Sequence, residues 1–290
     1  MTRLLRRWPE ALIILFLTAA ALTCVLPLVH ELMMAISSND AVLSRKVGFV
    51  PIEPTVNSFR EVFRDPSVLQ SLVFSIYLTV MFTVIAMALT IACAYPLTRP
   101  ELRGRKFFTM MIVITMYFTG GILPLYVLIK TLGLLNSMWS LILPLAVSPY
   151  NLIILRTSLL SVPDSITESA LIDGASYFRI LIQIILPLSM PILATLSLFY
   201  AVGRWNMFQD ALFYISDAKL YTLQLKLAYI VINNTSPEVF QLEGAAAGYR
   251  IVPAAITAAT VIVATVPILI AYPWLQRYFI SGVMLGSVKG

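Results

Sequence analysis

Chemistry needs side chains that ionise, ligate or attack, and this chain of 290 residues holds few of them. It has one histidine, His30, and two cysteines, Cys24 and Cys93, both inside apolar runs. That set excludes a disulfide framework and a Cys/His metal site of ordinary spacing. The "GSVKG" at 286–290 lacks the spacing of a G-x-x-x-x-G-K-[ST] loop, so ATP has no phosphate cradle of that kind here. No catalytic or metal-binding constellation stands out, and no cofactor is expected in this chain. The informative polar residues gather elsewhere, in "SVPDSITESALIDGASYFRILIQIILPL" at 161–188. Its first half carries Asp164, Glu168 and Asp173 with no lysine or arginine among them. Such a segment suits docking to another molecule better than bond-making.

The elements that must hold this segment are greasy. The chain is 59% hydrophobic and 12% charged, with a mean hydropathy of +0.89. A soluble domain carries about 25% charged residues. One core could not hide so much apolar surface, so the bilayer is the natural solvent. Crossing it takes about 20 mostly apolar residues. Six segments qualify, at 11–36, 69–95, 107–129, 138–160, 185–207 and 251–276. The fold class expected is all-α, a polytopic membrane protein with six transmembrane helices. Residues 1–10 form an N-terminal segment, 11–276 the six-span domain with the loop 161–184 inside it, and 277–290 a tail. The basic head and Cys24 resemble a lipoprotein signal, but the apolar run continues past the cysteine, which reads as an uncleaved first span.

Net charge is +6 and the pI about 9.4, yet the basic residues flank apolar blocks rather than forming a nucleic-acid patch. With six spans both termini share a side. That side holds 11 basic and five acidic residues, the other nine of each. The positive-inside rule places the termini and the 161–184 loop in the cytoplasm, with the cluster "TRPELRGRK" carrying most of the weight. Two outer segments, 37–68 and 208–250, are long, and Leu223, Leu227 and Ile230 predict a short surface helix in the second.

Within 161–193, Ser161 and Asp164 have capping-box spacing, and Pro163 suits a first helical turn. Val162, Ile166 and Ala170 would share a face. Gly174 can take positive φ and end the helix. A second helix is expected from Ser176, with Tyr177, Leu181 and Ile184 as its apolar stripe, and Pro187 bends or begins the next span. A helix-turn-helix joined to two spans would act as a lever. A connector resting on headgroups is the bland alternative, and the missing basic face argues against it.

These residues carry a resemblance. Glu168-Ser169-Ala170, then Gly174, then Ile184 and Leu186-Pro187 resemble the "EAA" loop of permease subunits of ATP-binding-cassette importers, departing only at Ser169. "GRWNMFQDALFYISDAKLYTLQLKL" at 203–227 and the ending "QRYFISGVMLGSVKG" are similar to the carbohydrate-uptake permeases, in the maltose-type second subunit and its oligosaccharide branch. The resemblance implies a type I importer permease fold in a bacterial cell membrane. It implies partners besides lipid: a homologous second permease, two cytoplasmic ATPase subunits that hold ATP and Mg, and an extracytoplasmic sugar-binding protein. In that family the loop docks on the ATPase, so Glu168, Ser169, Ala170, Asp173, Gly174 and Ala175 would make the contact. Gly286, Lys289 and Gly290 of the tail could reach the ATPase or simply fray.

Other candidates are weaker. Trp205 and Asn206 end span five and could contact sugar, though tryptophan at that depth is commonly an interface anchor. Tyr117, Tyr150 and Asn151 are candidates for the substrate path, together with Tyr126, on residue type alone. The loop "INNTSPEVFQLE" at 232–243 matches in position an outer loop that meets the binding protein in maltose-type permeases. His30-Glu31 is an interface pair. An ion-coupled carrier is the alternative class, and it would need an acid near mid-membrane, missing from spans two, three, four and six. An intramembrane enzyme would need paired histidines or acids within spans.

Overall fold

The computed structural model describes the backbone of residues 7–235 and 253–287, and the side chains of 10–232, 254–270 and 273. Among the described residues the regular structure is helical throughout. The chain divides into two compact units, one of Met1–Leu69 with Lys226–Pro267, the other of Gln70–Leu225 with Ile268–Gly290.

The first unit holds α1 (Arg7–Ala35), whose apolar side chains such as Leu12, Ile14 and Phe16 are exposed along its length. Lipid or a protein neighbour is the solvent such a surface demands. A short helix α2 (Asn39–Leu43) follows, capped by the Ser38 side chain, which accepts from the Ala41 amide at 3.3 Å. Then comes α3 (Asn57–Arg64). Val42 and Ala255 pack together as a small core with Met34 and Val47. His30 meets the Phe49 ring edge-on at 6.3 Å. Burial alone would raise the Asp65 carboxyl, but hydrogen bonds from the Ser67 side chain and amide and the Lys226 charge outweigh it, so Asp65 titrates below the usual carboxylate range.

The long helix α4 (Pro66–Ala94) has 29 residues, about 43 Å of rise, and runs on through a 3-10 turn Pro96–Thr98. In the second unit it serves as a ruler. Near its start Gln70 donates to the Lys219 carbonyl, and the Leu223 amide donates to Ser75 Oγ at 2.7 Å. At mid-length Phe82 meets the Tyr200 ring edge-on. At its far end the Tyr95 hydroxyl donates to the Tyr177 carbonyl.

Only two described helices, Glu10–Ala35 and Pro66–Thr98, are long and apolar enough to cross a bilayer unbroken. The third, fourth and fifth expected spans are each bent pairs. Arg105–Tyr117 (α5) and Ile122–Thr131 (α6) meet at 115°, Met138–Leu145 (α7) and Pro149–Leu159 (α8) at 50°, and Tyr177–Leu188 (α10) and Met190–Asn206 (α11) at 83°. The segment 107–129 is thus a bent pair rather than one continuous helix. Gly121 takes φ 80° and ψ 174°, a region open in practice to glycine alone, so "TGG" forces a break. The other two breaks fall beside prolines, Pro149 and the pair Pro187 and Pro191. A helix α14 (Pro253–Ser287) covers the sixth segment and continues through 277–287, where a tail is expected from the sequence.

Candidate functional site: a hairpin and a buried ion pair at opposite stations of one helix

Helix α9 (Asp164–Ile172) opens the hairpin. The capping box does not form. Pro163 is the cap, with φ −57° and ψ 133°, and Ser161 Oγ donates back to the Ser158 carbonyl at 2.7 Å. The reason is local: a residue preceding proline avoids helical ψ, so Val162 cannot extend the helix back to Ser161. The other end forms as expected. Gly174 takes φ 79°, its amide donates to the Leu171 carbonyl, and the Ala175 amide donates to the Ala170 carbonyl at 2.9 Å. That pair of bonds is a Schellman closure. Ser176 caps α10, accepting from the Arg179 amide. Within α10 a π turn spans Leu181–Ile185.

Burial sorts the expected contact residues. Glu168, Ser169, Asp173 and Gly174 are exposed, Ala175 is half-buried, and Ala170 is buried inside the chain with Thr167. Ser169 Oγ donates to the Ser165 carbonyl at 2.9 Å. Apolar groups stand out at the tip, with Ile172 87% and Phe178 71% exposed. Of the expected α10 stripe, Leu181 is buried and Ile184 half-buried, while Tyr177 faces out. The buried face is instead Ile180, Leu181 and Ile185.

The base of the hairpin is held by the segment after α4. Arg99 Nη1 lies 3.5 Å from Thr167 Oγ1, and Arg156 Nε donates to the Leu97 carbonyl at 3.1 Å. The Arg99 guanidinium carbon sits 4.5 Å from the Tyr95 ring centroid and 5.7 Å from that of Tyr177.

The other station joins the end of α11 to the first turn of α12 (Gln209–Tyr214). Here Arg204 is 3% and Asp210 8% exposed, the only buried charged residues among those described. They form a bidentate pair: Arg204 Nη2 donates to Asp210 Oδ1 at 2.9 Å and Nη1 donates to Oδ2. Arg204 also donates to the Leu141 carbonyl at 3.0 Å and the Met207 carbonyl at 3.3 Å, and Asp210 accepts from the Ala211 amide. These hydrogen bonds offset the desolvation of a buried pair, which costs several kcal/mol per ion. One atom, Arg204 Nε, is buried without a partner. Asp210 borders a pocket of about 710 Å³, lined also by Thr119, Gly121, Ser140, Gln209 and Tyr214. None of Tyr117, Tyr150, Asn151, Trp205 and Asn206 lines it. Trp205 and Asn151 are buried, and Tyr117, Tyr150 and Asn206 are exposed. Tyr126 stacks on Tyr214.

Between the stations, Tyr200 Oη lies 2.7 Å from Thr90 Oγ1 and accepts from the Ser148 amide at 3.1 Å. Ser148 sits in the break between α7 and α8, so Tyr200 satisfies an amide that the bend frees. Lys289, Gly290 and most of the 232–243 loop lie outside the described residues, and Gly286 falls in the last turn of α14. The expected helix is α13 (Leu223–Thr235); Leu223 of its apolar stripe is buried, and so is Leu225.

A set of broken membrane helices with a surface hairpin between two of them is a transport fold, and comparison with known proteins agrees. Residues 4–284 match the family described as "Binding-protein-dependent transport system inner membrane component". The chain belongs to that family: it is a membrane-embedded transport component with the type I permease fold of ATP-binding-cassette importers. It is similar to the polygalacturonan/rhamnogalacturonan transport system permease protein YtcP of Bacillus subtilis (strain 168), 39% identical over 97% of this chain and 98% of that one. It is also similar to Protein LplC of the same organism, 37% identical over 96% and 93%. Among solved structures it resembles a chain in the crystal structure of a bacterial ABC transporter involved in the import of the acidic polysaccharide alginate. That match has a TM-score of 0.88 and 28% identity, over 94% of this chain and 97% of that one.

Three features escape a reading of the sequence. The Arg204–Asp210 pair spans a helix end, so no helical spacing flags it; the available signal is an arginine closing an apolar run with an acid six residues on. Arg99 counts there only as a topology charge. Tyr200 lies among apolar residues with no local partner.

Proposed function

We propose that this chain is a permease subunit of an ATP-driven sugar importer, with an oligosaccharide as cargo. It supplies half of a translocation path completed by a homologous permease, receives cargo from an extracytoplasmic binding protein, and takes its energy from separate ATPase subunits that hold ATP and Mg. The hairpin and both termini face the cytoplasm of a bacterial cell. The reading of cargo rests on what YtcP and the alginate transporter carry. The coupling reading rests on one observation. An acidic, glycine-closed hairpin leaves Ile172 and Phe178 exposed while its base is pinned to the end of a span. Exposed apolar side chains on a rigid base are what a protein groove would bury. Glu168, Asp173 and Gly174 border the same surface. Gly286, Lys289 and Gly290 are proposed as a second contact with the ATPase.

The test uses the reconstituted transporter. A Cβ at Gly174 meets nothing within 4 Å, so Gly174→Asp adds a charge to the docking face, at the cost of some strain from the positive φ. Loss of ATPase stimulation by loaded binding protein is expected, by about tenfold or more, with this chain still present in the membrane. Unchanged stimulation overturns the coupling reading. Uptake that collapses with an uncoupler while ATP is held constant would favour an ion-coupled carrier instead.

A further inference from the structure

The hairpin continues by chain into the neighbouring spans, but α4 is a separate element, and one residue meets the end of α4 and both hairpin helices. Arg99 leaves the 3-10 turn that ends α4 and lays its guanidinium against two rings, Tyr95 from the end of that span and Tyr177 from the first turn of α10. Its Nη1 reaches Thr167 Oγ1 on α9 at 3.5 Å. One planar cation thus touches the span and both helices of the hairpin. The two tyrosines are themselves linked, since the Tyr95 hydroxyl donates to the Tyr177 carbonyl at 3.1 Å. Arg99 has no carboxylate partner; two ring faces and one hydroxyl contact hold the group. Packing against the Tyr177 side chain links the span to a part of the hairpin that is otherwise half exposed.

We propose that Arg99 is a positioning residue that transmits displacement of the hairpin to α4, through stacking on Tyr95 and Tyr177. This inference rests on the coupling role proposed above. Cation–π stacking beside an aromatic pair favours arginine over lysine, because the flat guanidinium can face two rings while an ammonium addresses one point. A clamp of this kind is stiff in compression yet free of a saturated charge pair, so it can follow the hairpin without breaking a buried ion pair.

The experiment uses the complete transporter, with partner permease, ATPases and binding protein, in lipid nanodiscs. Four properties are read: ATPase co-purification, basal ATPase, stimulation by loaded binding protein, and transport in matched proteoliposomes. Arg99→Ala is expected to keep co-purification and basal hydrolysis and to lower stimulation and transport by about tenfold. Arg99→Lys is expected to recover part of that loss. Tyr177→Leu is expected to lower stimulation comparably alone and to add little in the Arg99→Ala background, since both remove the same contact. Full stimulation in Arg99→Ala overturns the proposal. Loss of ATPase co-purification in Arg99→Ala also overturns it, because Arg99 would then hold the hairpin's shape rather than pass on its movement. Additive losses in the double variant do the same. The Gly174→Asp variant is measured in parallel: stimulation lost there but intact in Arg99→Ala sinks this inference alone. Stimulation intact in Gly174→Asp sinks the docking reading independently.

Discussion

Two arginines mark the two stations along α4, and they are held in opposite ways. Arg204 is buried and ion-paired: carboxylate, two carbonyls and an aromatic face at 5.9 Å surround it. Arg99 is half exposed and leans on two tyrosines with one weak hydroxyl contact. A buried ion pair has one arrangement, and any departure strands a charge. A cation stacked on two rings has no single carboxylate to lose, so it can move together with the rings it rests on. This contrast agrees with the proposal that the station at Arg99 passes on movement while the station at Arg204 fixes a bend.

The contrast is broken most forcefully at Asp210. Asp210→Asn leaves the Arg204 charge buried without its counter-ion, and about 3–5 kcal/mol of stability is expected to go. The measurement is the thermal midpoint of the detergent-purified complex. Replacing both partners by apolar residues of similar volume should recover much of that loss. A midpoint unmoved in Asp210→Asn would mean the pair is not the rigid station described. The smaller effect is at Tyr200, between the stations. Tyr200→Phe keeps the ring against Phe82 but removes the hydroxyl that serves Ser148 and Thr90. About 1–3 kcal/mol is expected from the freed amide, read by the same melt. Amide exchange at Ser148 should quicken while exchange in the hairpin stays unchanged, which sharpens the separation between bend and lever.

Much of this was legible because it follows from composition and local rules. Apolar runs located helices in all six segments, since a bilayer demands them. Gly174 and Ser176 announced the turn and cap that formed, because each bond closes within five residues. The misses have physical causes. "TGG" lay inside a run whose hydrophobicity hid the break, although the paired glycines were its signal. The capping box failed because Pro163 restricts the residue before it. Ala170 carries the family motif yet is buried in this chain, and the exposed apolar groups of the hairpin are Ile172 and Phe178, which no motif position names. Arg99, Arg204 and Tyr200 find partners 68, 63 and 110 residues away in sequence, distances that periodicity cannot bridge.

The central claim is that the hairpin tip touches an ATPase in the cytoplasm. The most direct measurement is a site-specific cross-link from Ile172→Cys, in a background where Cys24 and Cys93 are replaced, in inside-out vesicles holding the whole transporter. The account predicts a covalent adduct with the ATPase subunit whose yield changes between ATP-bound and nucleotide-free states. Labelling of the introduced thiol by a membrane-impermeant maleimide in intact cells, with no ATPase adduct in the vesicles, would contradict it.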